Sequence, residues 1–217
     1  MTKIIVVYSG GLDSFTLLNE AMQLAYDVST ISFDYGQKHK KELDFVKKFC
    51  TQESIDHKII DVSSIKGLFS GSFLTDNLDI PKGHYEDESM QSTVVPNRNM
   101  IMISLALGYA VTKKAKEVWF GAHSGDHAIY PDCRPEFVEK MDAVARIANY
   151  SPIEVKAPYI SKSKSEILEI GLSLHLDYGL TWTCYEGKEL ACGSCGACYE
   201  RLESFSNNQA IDPIQYI

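Results

Sequence analysis

The chain has 217 residues, 45% of them hydrophobic and 23% charged, a length and balance that support one good-sized domain with a substantial core and no low-complexity tract. Its formal charge of −8, from 29 acidic and 21 basic side chains, argues against nucleic acid as a partner and favours a small substrate. No apolar run approaches a membrane span, and Met1-Thr2-Lys3 leads straight into a strand with no room for a signal peptide, so a cytoplasmic, soluble protein is expected.

The first predicted elements set up a phosphate site. An apolar strand, Ile4-Ile5-Val6-Val7, is followed by Tyr8-Ser9-Gly10-Gly11-Leu12-Asp13-Ser14 and then by Phe15-Thr16-Leu17-Leu18, which has helical spacing. Two glycines let successive backbone N–H groups turn inward together, and the helix start adds its unpaired N–H groups and the positive end of its dipole. Ser9 and Ser14 offer hydroxyls, and Asp13 can hold the Mg²⁺ that accompanies a nucleoside triphosphate. An ordinary glycine turn capped by Asp13 or Ser14 is the plain alternative. The spacing matches neither Gly-Lys-Ser/Thr nor G-x-G-x-x-G.

Val28 to Asp34 reads as a second strand, followed by Tyr35-Gly36-Gln37 and a helix with Leu43, Val46, Phe49 and Cys50 on its apolar face. His57-Lys58-Ile59-Ile60-Asp61 is a third strand. Residues 62–93 hold no clear period and suggest a flap or insertion lining the site. A long helix opens near Asn97, with Met100, Ile101, Ser104, Leu107, Ala110 and Val111 along one face. Val118-Trp119-Phe120-Gly121 is a fourth strand. A helix through Phe137, Met141, Val144 and Ala148, a fifth strand at Ile153-Glu154-Val155-Lys156-Ala157 and a helix through Ile167, Leu168 and Gly171 follow. Alternating strands and helices predict an α/β fold, a doubly wound parallel sheet whose ligands bind beyond the carboxyl ends of its strands.

The segments after the strands therefore carry the candidate chemistry. Residues 34–39 are placed to flank adenine and ribose, with Lys38, Lys40 and Lys41 read as solvated charges. Gly121-Ala122-His123-Ser124-Gly125-Asp126 holds glycines that permit close approach of a ligand. Asn97 or Asn99 caps the long helix, and Arg98 either faces water or serves the site. Tyr130-Pro131-Asp132-Cys133-Arg134-Pro135-Glu136-Phe137 is a rigid run of groups suited to a planar heterocycle bearing a carboxylate: an acid for ring N–H donors and a guanidinium for the carboxylate.

Cys184, Cys192, Cys195 and Cys198 have the spacing C-x7-C-x2-C-x2-C, the pattern of a structural Zn²⁺ site with no open position. An iron–sulfur cluster or a redox pair could use the same ligands. The helix suggested by Tyr199, Leu202 and Phe205 would be tied by such a centre to the irregular segment before it. Cys50 is expected in the core.

Ser-Gly-Gly-x-Asp-Ser resembles the PP-loop of the N-type ATP pyrophosphatases, which split ATP between its α- and β-phosphates. Taken with DYGQKH at 34–39, VPNRN at 95–99, YPDCRPEF at 130–137, TWTCY at 181–185 and CGSCGAC at 192–198, the chain resembles the QueC family of 7-cyano-7-deazaguanine synthases of the queuosine precursor pathway along nearly its whole length. The resemblance implies a PP-loop, adenine nucleotide alpha hydrolase-like domain over residues 1–177 and a zinc-binding subregion over 178–217. It implies a ligase that uses ATP, with Mg²⁺, and ammonia to convert 7-carboxy-7-deazaguanine to the nitrile through an acyl-adenylate and an amide, in a homodimer. In that picture ATP lies on residues 8–18, Ser9, Asp13, Ser14 and Lys164 serve the reaction, Arg98, Asp132 and Arg134 bind the deazaguanine, and the four cysteines hold one structural zinc. A PP-loop enzyme that adenylates a tRNA base is the competing possibility.

Overall fold

In the computed structural model, which describes residues 1–38, 40–68, 72–75 and 88–217, five parallel strands form one sheet in the order β3-β2-β1-β4-β5. These are β1 Lys3–Val7, β2 Asp27–Asp34, β3 Asp56–Asp61, β4 Glu117–Trp119 and β5 Glu154–Lys156. β1 lies at the centre, with Ile4 opposite Val28 of β2 and Ile5 opposite Val118 of β4. Its near-continuous apolar run reflects burial on both faces, since a parallel sheet needs helices on each side.

Six helices supply that cover: α1 Leu12–Gln23, α2 Lys41–Gln52, α3 Arg98–Lys113, α4 Pro135–Ile147, α5 Lys164–Ser173 and α6 Gly196–Asn207. Ile4 and Val6 point to the side of α1, α2 and α5, where Phe15, Leu18, Val46 and Ile167 bury. Ile5 points to the other side, with Ile103 and Ala106 of α3 and Met141 and Ala145 of α4. The alternation along β1 thus divides the core in two. Cys50 is buried there as expected, its thiol 3.6 Å from the Thr30 hydroxyl.

Three helix faces differ from expectation. On α3 the buried residues are Ile103, Ala106, Leu107 and Ala110, and Met100 and Val111 stand in solvent. On α4, Met141 and Ala145 bury, whereas Val144 and Ala148 are exposed. On α6, Phe205 buries as expected, but Tyr199 and Leu202 give way to Cys198, Arg201 and Ser204. On α3 and α4 two apolar stripes were possible at helical spacing, and contact with the sheet selected one; on α6 the buried face is set by the cysteine centre and the Arg201–Asp212 pair.

Part of the expected flap over 62–93, and His39, lie outside the described residues. Short 3-10 turns at Ser63–Leu68 and Glu88–Thr93 bracket the described part, and the Phe73 N–H donates to the Ser92 carbonyl at 2.8 Å. Among the described residues no helix is long and apolar enough to cross a membrane.

The chain after α5 packs back across the sheet's helical layer. Arg201, fully buried, donates from Nε and Nη2 to the two Asp212 carboxylate oxygens at 2.7 and 2.9 Å and from Nη1 to the Thr181 hydroxyl at 2.7 Å. Tyr216 adds a 2.6 Å hydrogen bond to the same carboxylate. A buried guanidinium is tolerated only when its donors are satisfied, and this cluster satisfies it.

Candidate active site

The sheet order places a switch point between β1 and β4, because the chain builds outward from β1 first to β2 and β3 and then, on the other side, to β4 and β5. A cavity of about 270 Å³ opens beyond the carboxyl ends of these strands, where such folds bind ligands. One lobe is formed by the loop after β1. The other is formed by Tyr35, Gln37, Glu42, Arg98, Tyr130 and Tyr185.

The loop has the form expected of a phosphate cradle. Gly10 adopts φ +85°, and a Cβ there would meet the Glu42 carbonyl oxygen at 2.6 Å, so both conformation and space require glycine. Gly11 is the N-cap of α1 and offers no side chain, which leaves the helix's first N–H groups open toward the cavity. α1 therefore starts at Leu12, and neither Asp13 nor Ser14 caps it. Ser14 instead accepts from the Ser9 N–H at 3.1 Å, and its hydroxyl lies 3.0 Å from that of Ser9. The two serines hold the loop closed across five residues.

Asp13, in the first turn of α1, faces a group of polar side chains from α5, α6 and the segment after β4. Lys164 Nζ is 3.4 Å from its Oδ2 and 2.5 Å from Glu200 Oε2. Lys164 is 9% exposed, not a surface lysine. Burial alone would pull its pKa down, but Asp13, Glu200 and Asp126 overcome that and hold it above the ordinary lysine value. Burial pushes the Glu200 carboxyl up. His123 Nδ1 accepts from the Gly125 N–H at 3.1 Å, which puts the imidazole proton on Nε2. That nitrogen lies 3.7 Å from Asp126 and 3.9 Å from both Asp13 and Glu200.

The glycines after β4 permit close approach of the protein to itself, and Gly121 also lines the cavity. A Cβ on Gly121 would sit 3.3 Å from the Ser14 backbone nitrogen, and one on Gly125 would sit 2.8 Å from Glu200 Oε1.

In the second lobe, Arg98 is half-buried with its guanidinium 5.7 Å from the Tyr35 ring centroid. Burial works against its charge, and Tyr35, Tyr130, Asp132 and Cys133 together raise its pKa above the ordinary value. Glu42 accepts from the Gln37 amide at 3.2 Å, and burial pushes its carboxyl up to about 7. One acid and one guanidinium thus line the same aromatic lobe. Asp132 and Arg134 have other partners: the Asp132 carboxylate accepts from the Asn99 N–H at 3.0 Å and so caps α3, and exposed Arg134 donates to the His127 carbonyl at 2.9 Å. Neither lines the cavity, whereas Arg98 does. Asn97, preceding α3, adopts φ +55° and makes no side-chain cap.

The sequence alone did not single out Glu42, Tyr185 or Glu200. Nothing in their local sequence separates Glu42 and Glu200 from ordinary helix charges, and only the neighbouring motifs, GQ at 36–37 and the cysteine run, marked their vicinity. Lys41, read as solvated, lies with Nζ 3.6 Å from the Trp182 ring centroid and donates to the carbonyls of Lys188 and Glu189 at 3.0 and 2.6 Å.

The sulfur atoms of Cys184, Cys192, Cys195 and Cys198 all lie within 4.8 Å of one another, and all four cysteines are free of disulfides. Tetrahedral thiolate coordination at about 2.3 Å separates sulfurs by roughly 3.8 Å, so this group can hold a metal ion. The Ser194 and Cys195 N–H groups point at Cys192 Sγ at 3.4 and 3.3 Å, and Gly193, with φ +68°, makes that turn possible. Cys195 is also the N-cap of α6. The centre is fastened to the loop by the Trp182 N–H, which donates to the Gly10 carbonyl at 3.0 Å.

A doubly wound parallel sheet with an open glycine cradle after β1 and a four-cysteine tail defines a PP-loop type of nucleotide-binding α/β protein. Solved structures agree at the level of the fold: a 4-thiouridine synthetase in complex with RNA and bound ATP (TM-score 0.52, 16% identity, 93% of this chain and 50% of that one) and NMN synthetase from Francisella tularensis (TM-score 0.51, 11% identity, 97% and 78%). The chain belongs to the QueC family, whose model, "Queuosine biosynthesis protein QueC", matches residues 3–209. Relatives named 7-cyano-7-deazaguanine synthase include those of Pseudoalteromonas translucida and Alteromonas mediterranea, 59% and 60% identical over 214 residues, each alignment spanning 99% of this chain and 98% of the relative.

Proposed function

We propose that this chain is an ATP-dependent carbon–nitrogen ligase that converts 7-carboxy-7-deazaguanine and ammonia to 7-cyano-7-deazaguanine. The observation that carries it is a shared cavity in which an uncapped helix start and a glycine cradle face a lobe holding Arg98. A carboxylate resists ammonia because oxide would have to leave. Its attack on the α-phosphate gives an acyl-adenylate and pyrophosphate, after which AMP is a good leaving group. Ammonia then forms the amide, and a second activation, at the amide oxygen, allows loss of AMP to the nitrile.

Residues 8–18 hold the phosphates: the N–H groups of the loop and α1, with the Ser9 and Ser14 hydroxyls, face the charge that builds during attack. Lys164 supplies a cation from the opposite wall. Asp13 is the residue to hold Mg²⁺, and its Oδ1, buried without a hydrogen-bond partner, fits a cation ligand. When bound, that ion supplies charge neutralisation on the phosphates. Arg98 takes the substrate carboxylate and Glu42 is the further candidate for the deazaguanine, whereas Asp132, which caps the helix carrying Arg98, and Arg134 lie outside the cavity and serve it only through the segments they hold. The cysteines bind a structural zinc, since four thiolates leave no position for water. Residues 178–217 form a subregion packed on the nucleotide-binding domain of residues 1–177. Exposed Val144, Ile147 and Tyr150 around the end of α4 support a homodimer, and a cytoplasmic location fits a small-molecule enzyme.

The family assignment favours this acid over a tRNA base as the AMP acceptor, as does the charge of −8. Mass spectrometry of the product from 7-carboxy-7-deazaguanine, ATP, Mg²⁺ and ammonium tests it. The expected product is the nitrile; a reaction that halts at the amide would sink the nitrile step and keep the ligase.

A further inference from the structure

Lys164 is the first residue of α5, where the Ser163 hydroxyl accepts from the Glu166 N–H and the Glu166 carboxylate accepts from the Ser163 N–H. That box fixes the backbone but not the tip of a four-carbon side chain. The tip is fixed from α6. Glu200 Oε2 takes the ammonium at 2.5 Å, a closer contact than the 3.4 Å to Asp13, and the Glu200 side chain is 12% exposed. Its other oxygen lies over the face of Gly125, where an added Cβ would meet it at 2.8 Å, so the absence of a side chain at 125 leaves the carboxylate its place. The two helices are locked together as well: Asn208 donates to the Ser165 carbonyl at 2.9 Å and Asn207 to the Ser165 hydroxyl at 3.1 Å. Lys164 lines the cavity and Glu200 does not, and the shortest contact of the Glu200 carboxylate with a lining residue is the Lys164 ion pair, against 3.9 Å to His123.

We propose that Glu200 is a positioning residue that holds the Lys164 ammonium toward the ATP loop, so that α6 sets the geometry of adenylation. This rests on the role given to Lys164 above. Its logic is that a cation contributes most when its place is set before the phosphoryl charge develops. Glu200→Gln keeps the size and an acceptor oxygen but loses the charge. Gly125→Ala keeps every charge but crowds the carboxylate, and with it the His123 ring, at 2.8 and 2.9 Å.

Steady-state pyrophosphate release, product mass spectrometry and thermal melting decide the matter. Glu200→Gln is expected to lower kcat by about 10–100-fold, with KM for ATP and for the acid changed less than about threefold. Gly125→Ala should lower kcat in the same direction, and Glu200→Asp should fall between. In a Lys164→Ala background, Glu200→Gln should cost less than about twofold more, since residues acting through one another are not additive. Glu200→Gln with kcat within about threefold of the parent, or with its full effect retained in the Lys164→Ala background, would overturn the proposal. Should Glu200→Gln fail to fold, Glu200→Asp and Gly125→Ala carry the same decision. Failure of the ligase function itself is distinguishable, because it shows in the unmodified chain as absence of product.

Discussion

The two lobes of the cavity are built in opposite ways. The phosphate lobe is almost one continuous stretch, from Tyr8 to the first turns of α1, and its shape follows from local rules: positive φ at Gly10, an uncapped helix start at Gly11 and two serines bonded across the turn. The acceptor lobe takes Tyr35, Gln37 and Glu42 from the β2–α2 connection, Arg98 from the start of α3, Tyr130 from the β4–α4 connection and Tyr185 from the cysteine segment. Local sequence can make an anion site because N–H groups and helix dipoles are backbone properties. Recognition of a particular acceptor needs side chains from distant segments, and so depends on everything that holds those segments in place.

The tail joins the two lobes, which makes it the place to break the comparison most completely. Cys184→Ala removes one thiolate of four. Both lobes are expected to fail together, with loss of bound zinc and a stability decrease of several kcal/mol, read as a melting temperature lower by about 10 °C or more. Intact nucleotide binding in that variant would show the phosphate lobe to be independent of the tail. Asp13→Asn confines the damage to the phosphate lobe. Pyrophosphate release should fall about 10²–10³-fold while the folded protein persists, and a loss below tenfold would remove Asp13 from the chemistry.

Gly10→Ala tests the backbone contribution by itself. A Cβ at positive φ, against a carbonyl oxygen 2.6 Å away, is expected to cost about 2 kcal/mol or more, with weaker ATP binding. Unchanged melting would mean that the α2 start yields at no cost. Arg98→Met should act on the other lobe only. The KM for the acid rises about tenfold or more, the cost of a lost charged hydrogen bond, with the ATP KM nearly constant. A rise confined to ATP would exchange the lobes' roles.

The effect most easily reduced by solvent is a pH effect at Glu42. Its folded pKa, about 7, lies above the unfolded value because burial opposes the charged form. The folded state therefore binds the proton more tightly, and stability is lost as pH rises from the unfolded pKa through about 7. Glu42→Gln should leave melting nearly unchanged at pH 4 and raise it at pH 8, by at most ~3 kcal/mol and less if solvent screens the group. Equal melting of the two proteins at both pH values would show that the carboxylate is well solvated.

Much of this protein is readable before any coordinates. The central strands are legible because a parallel sheet buried on both faces demands apolar runs, and edge strand β3, with no buried residue, is legible only from its short Ile59-Ile60 core between polar ends. The loop is legible because glycine, serine and aspartate at those offsets do one backbone-directed job. The four cysteines are legible because thiolate coordination is tied to residue type and short spacing, and their sulfurs gather within 4.8 Å. Helix faces are less so. On α3, Met100 and Val111 fit a helical stripe as well as Ile103 and Ala106 do, and periodicity cannot rank two stripes that both contain apolar residues.

Tertiary structure alone decided how buried the site's charges are and what they face. Glu42 and Glu200 are hydrophilic helix residues that on sequence grounds belong in water, and Lys164 is marked by the family resemblance and not by its local sequence. Burial of Lys164 at the cavity wall, with Glu200 from a helix 36 positions away at 2.5 Å, follows only from the packing of α5 on α6. The converse holds for Arg134, which carried a plausible motif and points to the His127 carbonyl on the surface. A charge acquires its role from solvent exclusion and from its neighbours, and both are products of long-range packing, not of the residues beside it in the chain.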